Sequence, residues 1–216
     1  MTSLIYIADP MCSWCYAFGP ELDRLLQGLP DVPLEIVVGG LRAYNTEAMD
    51  QEKRQTFLSH WTHVTERTGL PFAADCMGRP GFVYDTEPAC RAVVAARSLA
   101  PEAALAVFHA IQETFYAQGR DVTQADVLCE VAASALNACG HAIDAAAFRE
   151  VWQADSSKAA ARADFMQTQR WGVRGFPTLV LERDGQLDLI TSGYMPVQAV
   201  ADIMQALIEE PPQPHG

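Results

Sequence analysis

The stretch Leu4-Ile5-Tyr6-Ile7-Ala8-Asp9-Pro10-Met11-Cys12-Ser13-Trp14-Cys15 decides the fold. Residues 4–8 form a short apolar, β-rich run without charge, which reads as a buried strand entering an Asp9-Pro10-Met11 turn. A helix is expected from about Cys12. Leu22, Leu25, Leu26 and Leu29 recur at helical spacing, and Gly28 with Pro30 ends the segment. Pro33-Leu34-Glu35-Ile36-Val37-Val38 then reads as a second strand, broken by Gly39-Gly40. Strand, helix and strand in so short a span make a βαβ unit with a parallel, buried sheet.

Between Asn45 and Trp171 no convincing strand appears, and the chain turns alanine-rich with repeated helix-start signals. Thr86 with Pro88, Pro101, Thr123 followed by Asp126, Asp144, and Ser156 or Ser157 sit where N-cap or first-turn residues are wanted. Gly119, Gly140 and Gly172 sit where helices stop. Leu70 to Gly81, with Pro71, Gly78 and Pro80, reads as a loop. Beyond Gly172 the texture returns to strand. Thr178 to Glu182 and Leu187 to Thr191 flank an Asp184-Gly185 turn and predict a hairpin. A final amphipathic helix is expected from about Pro196 to Ile208, on Val197, Val200, Ile203, Met204 and Leu207. The expected organisation is α/β: one domain from residues 1–44 and 172–210, an inserted helical domain at 45–171, and a disordered tail at 211–216.

Six cysteines occur, at positions 12, 15, 76, 90, 129 and 139, and only Cys12 and Cys15 have a motif spacing. A thiolate is the nucleophile of disulfide exchange, whereas a free thiol titrates near about 8.5 and is mostly protonated at neutral pH. The first turn of a helix supplies unpaired N–H groups and the positive end of the macrodipole, which stabilise negative charge. Cys12 stands at that end, and Cys15 lies one turn inward. The pattern therefore makes Cys12 the attacking thiol and Cys15 the one that resolves a mixed disulfide. Half of a four-cysteine zinc site is the competing reading. It would need a second close pair of ligands, and the chain has no other Cys-x-x-Cys and no His-x-His.

The order βαβ, helical block, ββα, with Cys12-Ser13-Trp14-Cys15 at the first strand-to-helix turn and Gly172-Val173-Arg174-Gly175-Phe176-Pro177-Thr178 before the hairpin, resembles the thioredoxin fold. The helical insertion resembles the DsbA family, and Asp9 to Cys15 resembles its cytoplasmic branch. The resemblance implies a thiol-disulfide oxidoreductase, or a disulfide isomerase, that needs no cofactor. Its partners would be proteins or small thiols carrying disulfides or dithiols, with glutathione a candidate co-substrate. It also implies a cis bond before Pro177, a ring facing the active cysteines, and Phe176 backbone groups that pair with an extended substrate; Trp14 either touches substrate or simply packs. A glutathione-dependent transferase or isomerase of the kappa type shares this fold and insertion, though those relatives generally carry serine at the position of Cys12. A redox sensor without turnover is a third reading.

The remaining candidates read as structural. Cys90, Cys129 and Cys139 fall in or beside alanine-rich helices, where cysteine acts as a small core hydrophobe. Cys76 follows Asp75 in the predicted loop, where it is a candidate for exposure and, as the lesser alternative, for a second redox pair. His60 and His63 share a helical face without ligand spacing, and Asp9 and Glu35 are candidate proton acceptors for Cys15. A formal charge of -12 disfavours nucleic acid and anionic lipid as partners. The N-terminus has no signal-peptide pattern and the chain no apolar run of membrane-spanning length, so a cytoplasmic location is expected.

Overall fold

The structure, a computed structural model, describes residues 2–209. The expected proline-rich tail lies outside those residues.

Four strands form one sheet in the order β2-β1-β3-β4. β1 (Thr2–Ala8) and β2 (Leu34–Val38) pair in parallel, with Tyr6 opposite Ile36. β3 (Thr178–Arg183) runs antiparallel to β1 with Tyr6 opposite Leu179, and β4 (Gln186–Ser192) closes the hairpin. Both faces of β1 are buried, which explains why its sequence is a continuous apolar run. Leu4, Tyr6 and Ala8 belong to the main core, whereas Ile5 and Ile7 join Val37 in a smaller cluster on the opposite face. That second face stays partly open beside β4, where Leu187 and Leu189 are exposed, so the sheet is less fully buried than the sequence suggests.

α1 (Ser13–Gln27) and α8 (Val197–Glu209) cover the main face, burying Phe18, Leu22, Val200 and Met204. Between β2 and β3 lie α2 (Gln51–Thr68), α3 (Glu87–Leu99), α4 (Ala104–Gln112), α5 (Ala125–Ala138), α6 (Ala145–Gln153) and α7 (Asp155–Arg170). The block from 45 to 171 contains no strand among the described residues, only an isolated bridge between Ala48 and Val83. α3 buries Ala89, Cys90, Ala92, Val93, Val94, Ala95 and Ala96, so its small side chains let neighbouring helices approach closely on most sides.

Two features tie the inserted helices to the rest of the fold. Tyr16 of α1 stacks on Tyr116 at 5.0 Å, beside Trp61 and Phe72. At the sheet edge, Arg97 of α3 makes paired bonds of 2.9 and 3.0 Å to Asp164 of α7 and also donates to the Ile36 carbonyl. Asp164 in turn accepts the Val38 N–H at 3.0 Å. A carboxylate thus supplies a partner that the edge strand lacks.

Asp144 caps α6 through the Ala147 N–H, as its sequence position predicts. Thr86 precedes α3 but makes no side-chain cap; its hydroxyl instead accepts the Arg42 N–H. α5 begins at Ala125 and α7 at Asp155, close to the Thr123 and Ser156 signals.

Candidate active site

The site begins with a turn. The Asp9 carbonyl accepts the Cys12 N–H at 3.0 Å, closing the turn in which Pro10 presets the backbone. The Asp9 carboxylate accepts the Met11 N–H at 2.8 Å and the Leu41 N–H at 2.7 Å. It also accepts the Cys90 thiol at 3.4 Å, and Thr86 lies close enough to lower its pKa. Asp9 therefore joins the β1–α1 turn to the loop after β2. Burial raises its carboxyl above the usual aspartate range, and the bonds from Met11, Thr86 and Leu41 pull it partly back.

Cys12 is the N-cap of α1, in extended conformation, and its carbonyl accepts the Tyr16 N–H at 3.0 Å. It retains 7% of its surface, whereas Cys15 has none. The two thiols face each other. Burial pushes the Cys15 thiol well above its ordinary value, and its contact with Cys12 adds to the effect.

The second motif meets the first from the far end of the chain. The bond between Phe176 and Pro177 is cis, as the resemblance implies. Cys12 Sγ donates to the Phe176 carbonyl at 3.7 Å. Pro177 is buried, and its carbonyl accepts the Gly193 N–H at 2.7 Å, while the Phe176 ring is half-buried. That ring lies against Gly39, where an added Cβ would fall 2.1 Å from Cζ. The Phe165 ring similarly covers Gly40, whose φ of +62° is in the region that favours glycine. The Gly39-Gly40 pair thus does more than end a strand: it makes room for two aromatic rings, one of them in the site.

A cleft of about 730 Å³ opens over Cys12 between α1 and α2, reaching Trp14, Arg42, Lys53, His60 and Phe176. Trp14 is half-buried, with His60 and His63 edge-on at 5.8 and 5.9 Å and Tyr194 tilted at 5.7 Å. Both histidines, which the sequence leaves without a role, prop Trp14. Burial lowers the His60 pKa, and His63 nearby lowers it further. The i, i+3 spacing places them on one face, but only the fold shows what that face meets.

Three expectations change. Cys76 is buried rather than exposed, and its thiol is pushed up to about 11 by burial and by Asp121. Cys139 is exposed, because it caps the end of α5 instead of facing the core as Cys90 and Cys129 do. Glu35 lies exposed on β2, whereas Asp9 is fully buried and its charge opposes ionisation of Cys15. Tyr84, which the sequence does not single out, donates to the Met11 carbonyl at 2.6 Å and sits 3.3 Å from the Tyr116 hydroxyl beneath the turn. No described helix is long and apolar enough to cross a membrane.

A paired cysteine at the N-terminus of α1, a cis-proline loop against it and helices inserted before the hairpin define a thioredoxin-fold protein of the DsbA type. The chain belongs to the DSBA-like thioredoxin domain family, whose match spans residues 4–205. A solved protein from Nitrosomonas europaea, described provisionally as a protein disulfide isomerase, is 36% identical with a TM-score of 0.85 over 96% of this chain and 98% of that one. The cytosolic disulfide reductase DsbM from Pseudomonas aeruginosa is 25% identical with a TM-score of 0.75, over 95% of this chain and 98% of that one, and has also been solved with GSH. The ClpXP adapter protein SpxH of Halalkalibacterium halodurans is 24% identical over 95% of this chain and 67% of that protein. A 2-hydroxychromene-2-carboxylate isomerase shares the fold alone, at 13% identity and a TM-score of 0.63, over 95% of each chain.

Proposed function

We propose that the protein is a thiol-disulfide oxidoreductase working by dithiol-disulfide exchange through Cys12 and Cys15. The observation that carries this reading is the position of Cys12, at the N-cap of α1, partly exposed, and 3.7 Å from the Phe176 carbonyl. Cys12 as thiolate attacks a substrate disulfide; a bond forms from Cys12 to one substrate sulfur, and the other leaves as a thiolate that takes a proton. Cys15, having given up its proton, then attacks Cys12 Sγ. The Cys12–Cys15 bond forms, the mixed disulfide breaks and the second substrate thiol is released. An external thiol reductant restores the dithiol, and exchange in the opposite direction uses the same atoms. Asp9, fully buried and with its affinity for protons raised by that burial, is our candidate acceptor for the Cys15 proton.

Trp14, Phe176 and Pro177 form the substrate wall, with an extended segment pairing along the Phe176 backbone. Arg42 and Lys53 with Asp50 and Glu52 give the cleft charges of both signs, which suit a small zwitterionic thiol such as glutathione as co-substrate. The DsbM structure with GSH supports that choice and, with its cytosolic setting, a cytoplasmic location. Insulin reduction driven by dithiothreitol tests the assignment: Cys12→Ser should lose turnover, and undiminished turnover would sink it. The likeness to SpxH favours a second reading, a redox-sensitive adapter. Wild-type protein that forms the Cys12–Cys15 disulfide but turns over no disulfide substrate would support the adapter instead. The kappa-type reading is disfavoured by Cys12 standing where those relatives generally carry serine, and glutathione consumption with an electrophile would revive it.

A further inference from the structure

Tyr6 is the central residue of β1, and its ring packs between Phe18 at 6.0 Å and Phe108 at 5.7 Å. Those contacts account for the ring. They do not account for the hydroxyl, which is fully buried and finds no hydrogen-bond partner among the described residues. A phenylalanine would fill the same space without burying a polar group, so the oxygen is a cost that the core alone does not repay. The ring lies against Phe18, one turn beyond Cys15 on the same face of α1, and Tyr6 and Cys15 share one buried cluster, so the Cys15 thiol is near enough to act on the phenol.

That placement answers a need of the site. Cys15 has no exposed surface, so no water shell is available to solvate it when it ionises. Burial, the neighbouring Cys12 sulfur and the Asp9 charge all oppose its ionisation, while a backbone hydrogen bond at Asp9 favours it. Tyr84 and Tyr116, the other buried phenols nearby, are engaged with Met11 and with each other. Tyr6 is the hydroxyl left for Cys15. Burial pushes its own pKa well above the phenol range, and the Cys15 and Cys12 charges push it further, so it keeps its proton and stays a donor.

We propose that Tyr6 is a positioning residue for the resolving step, its hydroxyl donating a hydrogen bond to the Cys15 sulfur as that sulfur becomes a thiolate and attacks the Cys12 mixed disulfide. The proposal rests on Cys15 being the resolving thiol. No proton leaves Tyr6: the Cys15 proton goes to Asp9, as in the functional reading, and the departing substrate thiolate takes up a proton from water. The hydroxyl lowers the free energy of a buried anion in the same way that N–H donors stabilise a developing oxyanion.

The test is Tyr6→Phe, which deletes one oxygen and keeps the ring. In a Cys12→Ser background, NMR of Cys15 labelled with 13C at Cβ should show its titration moving up by about one unit, a tenfold fall in thiolate at fixed pH. In a chain with both cysteines, release of glutathione from a mixed disulfide preformed at Cys12 should slow about tenfold at neutral pH, with the pH profile displaced upward by the same amount. Initial attack by Cys12, measured in a Cys15→Ser background, should not change. Site-specific 3-fluorotyrosine at Tyr6, a stronger donor of nearly the same shape, should move the Cys15 titration the other way. A folded Tyr6→Phe protein with an unchanged Cys15 titration and an unchanged resolution profile overturns the proposal. Because the titration needs no substrate, it still decides the role of Tyr6 if Cys12→Ser retains turnover and the functional reading falls.

Discussion

The Sγ of Cys12 donates to the carbonyl of Phe176 across 3.7 Å of space and 164 residues of sequence. The contact brings together the two motifs that flank the inserted helices. It also divides labour within the cysteine pair, since Cys12 meets the cleft and the proline loop while Cys15 has no exposed surface. Cys15→Ser should therefore keep the attacking thiol and lose the resolving one, accumulating mixed disulfides that Cys12→Ser cannot form. Non-reducing gels of the two variants expressed in cells check this; identical band patterns would contradict the separate roles.

Gly39→Ala should disturb the site without touching a cysteine. The new Cβ would meet the Phe176 ring at 2.1 Å, a distance that only movement of the ring can relieve. Overpacking of this kind costs about 1–3 kcal/mol. Because the moving residue carries the carbonyl opposite Cys12, disulfide turnover should fall together with the melting temperature. The control is a double-mutant cycle with Phe176→Ala, which clears the space. Gly39→Ala should then be nearly neutral for stability, whereas additive effects would show that the two positions do not collide.

Much of this was legible in the sequence because short-range rules decide it. The apolar run of β1, the Asp9-Pro10 turn, the leucine spacing of α1 and the Asp184-Gly185 hairpin each follow from local preference. Cys12 and Cys15 announce themselves by spacing. The residues missed are those whose roles depend on distant partners. Tyr6 reads as one more strand apolar, Thr86 as a helix cap and Gly39 as a strand breaker. Each instead meets a group remote in sequence: the Cys15 thiol, the Asp9 carboxyl and the Phe176 ring. Cys76 misled for the same reason, since a loop rich in glycine and proline reads as exposed until the fold shows what packs over it.

Asp9 predicts a pH dependence of stability. Burial raises its pKa in the folded chain above the unfolded value of about 3.9, so between those two values the folded state holds more protons. Stability from this group is therefore greatest at low pH, falls as pH climbs from about 4 towards the raised folded value, and is level above it. Asp9→Asn should remove that slope. It should also lower the stability level, because the amide cannot accept from both Met11 and Leu41 as the carboxylate does. Urea unfolding between pH 4 and 8 measures both quantities. An unchanged slope would show that Asp9 does not titrate in that window.

Asp164→Ala should be the most damaging change at the sheet edge, and its effect should reach the site through the backbone. The carboxylate receives the Val38 N–H and both arms of the Arg97 guanidinium, and each of the two side chains is largely buried. Removing it strands a partly buried cation and an edge-strand N–H together, a situation that costs about 3–5 kcal/mol where one partner of a buried pair is deleted. For a chain of this size that corresponds to a fall in melting temperature of roughly 6–20 °C. Val38 immediately precedes Gly39, so loosening the end of β2 should also loosen the seat of the Phe176 ring. Amide exchange at Val38 should accelerate, and disulfide turnover measured well below the melting temperature should drop. Asp164→Asn, which can still accept from one donor, should fall between the two. A loss below about 1 kcal/mol in Asp164→Ala would mean that the Arg97 bond to the Ile36 carbonyl alone holds this edge.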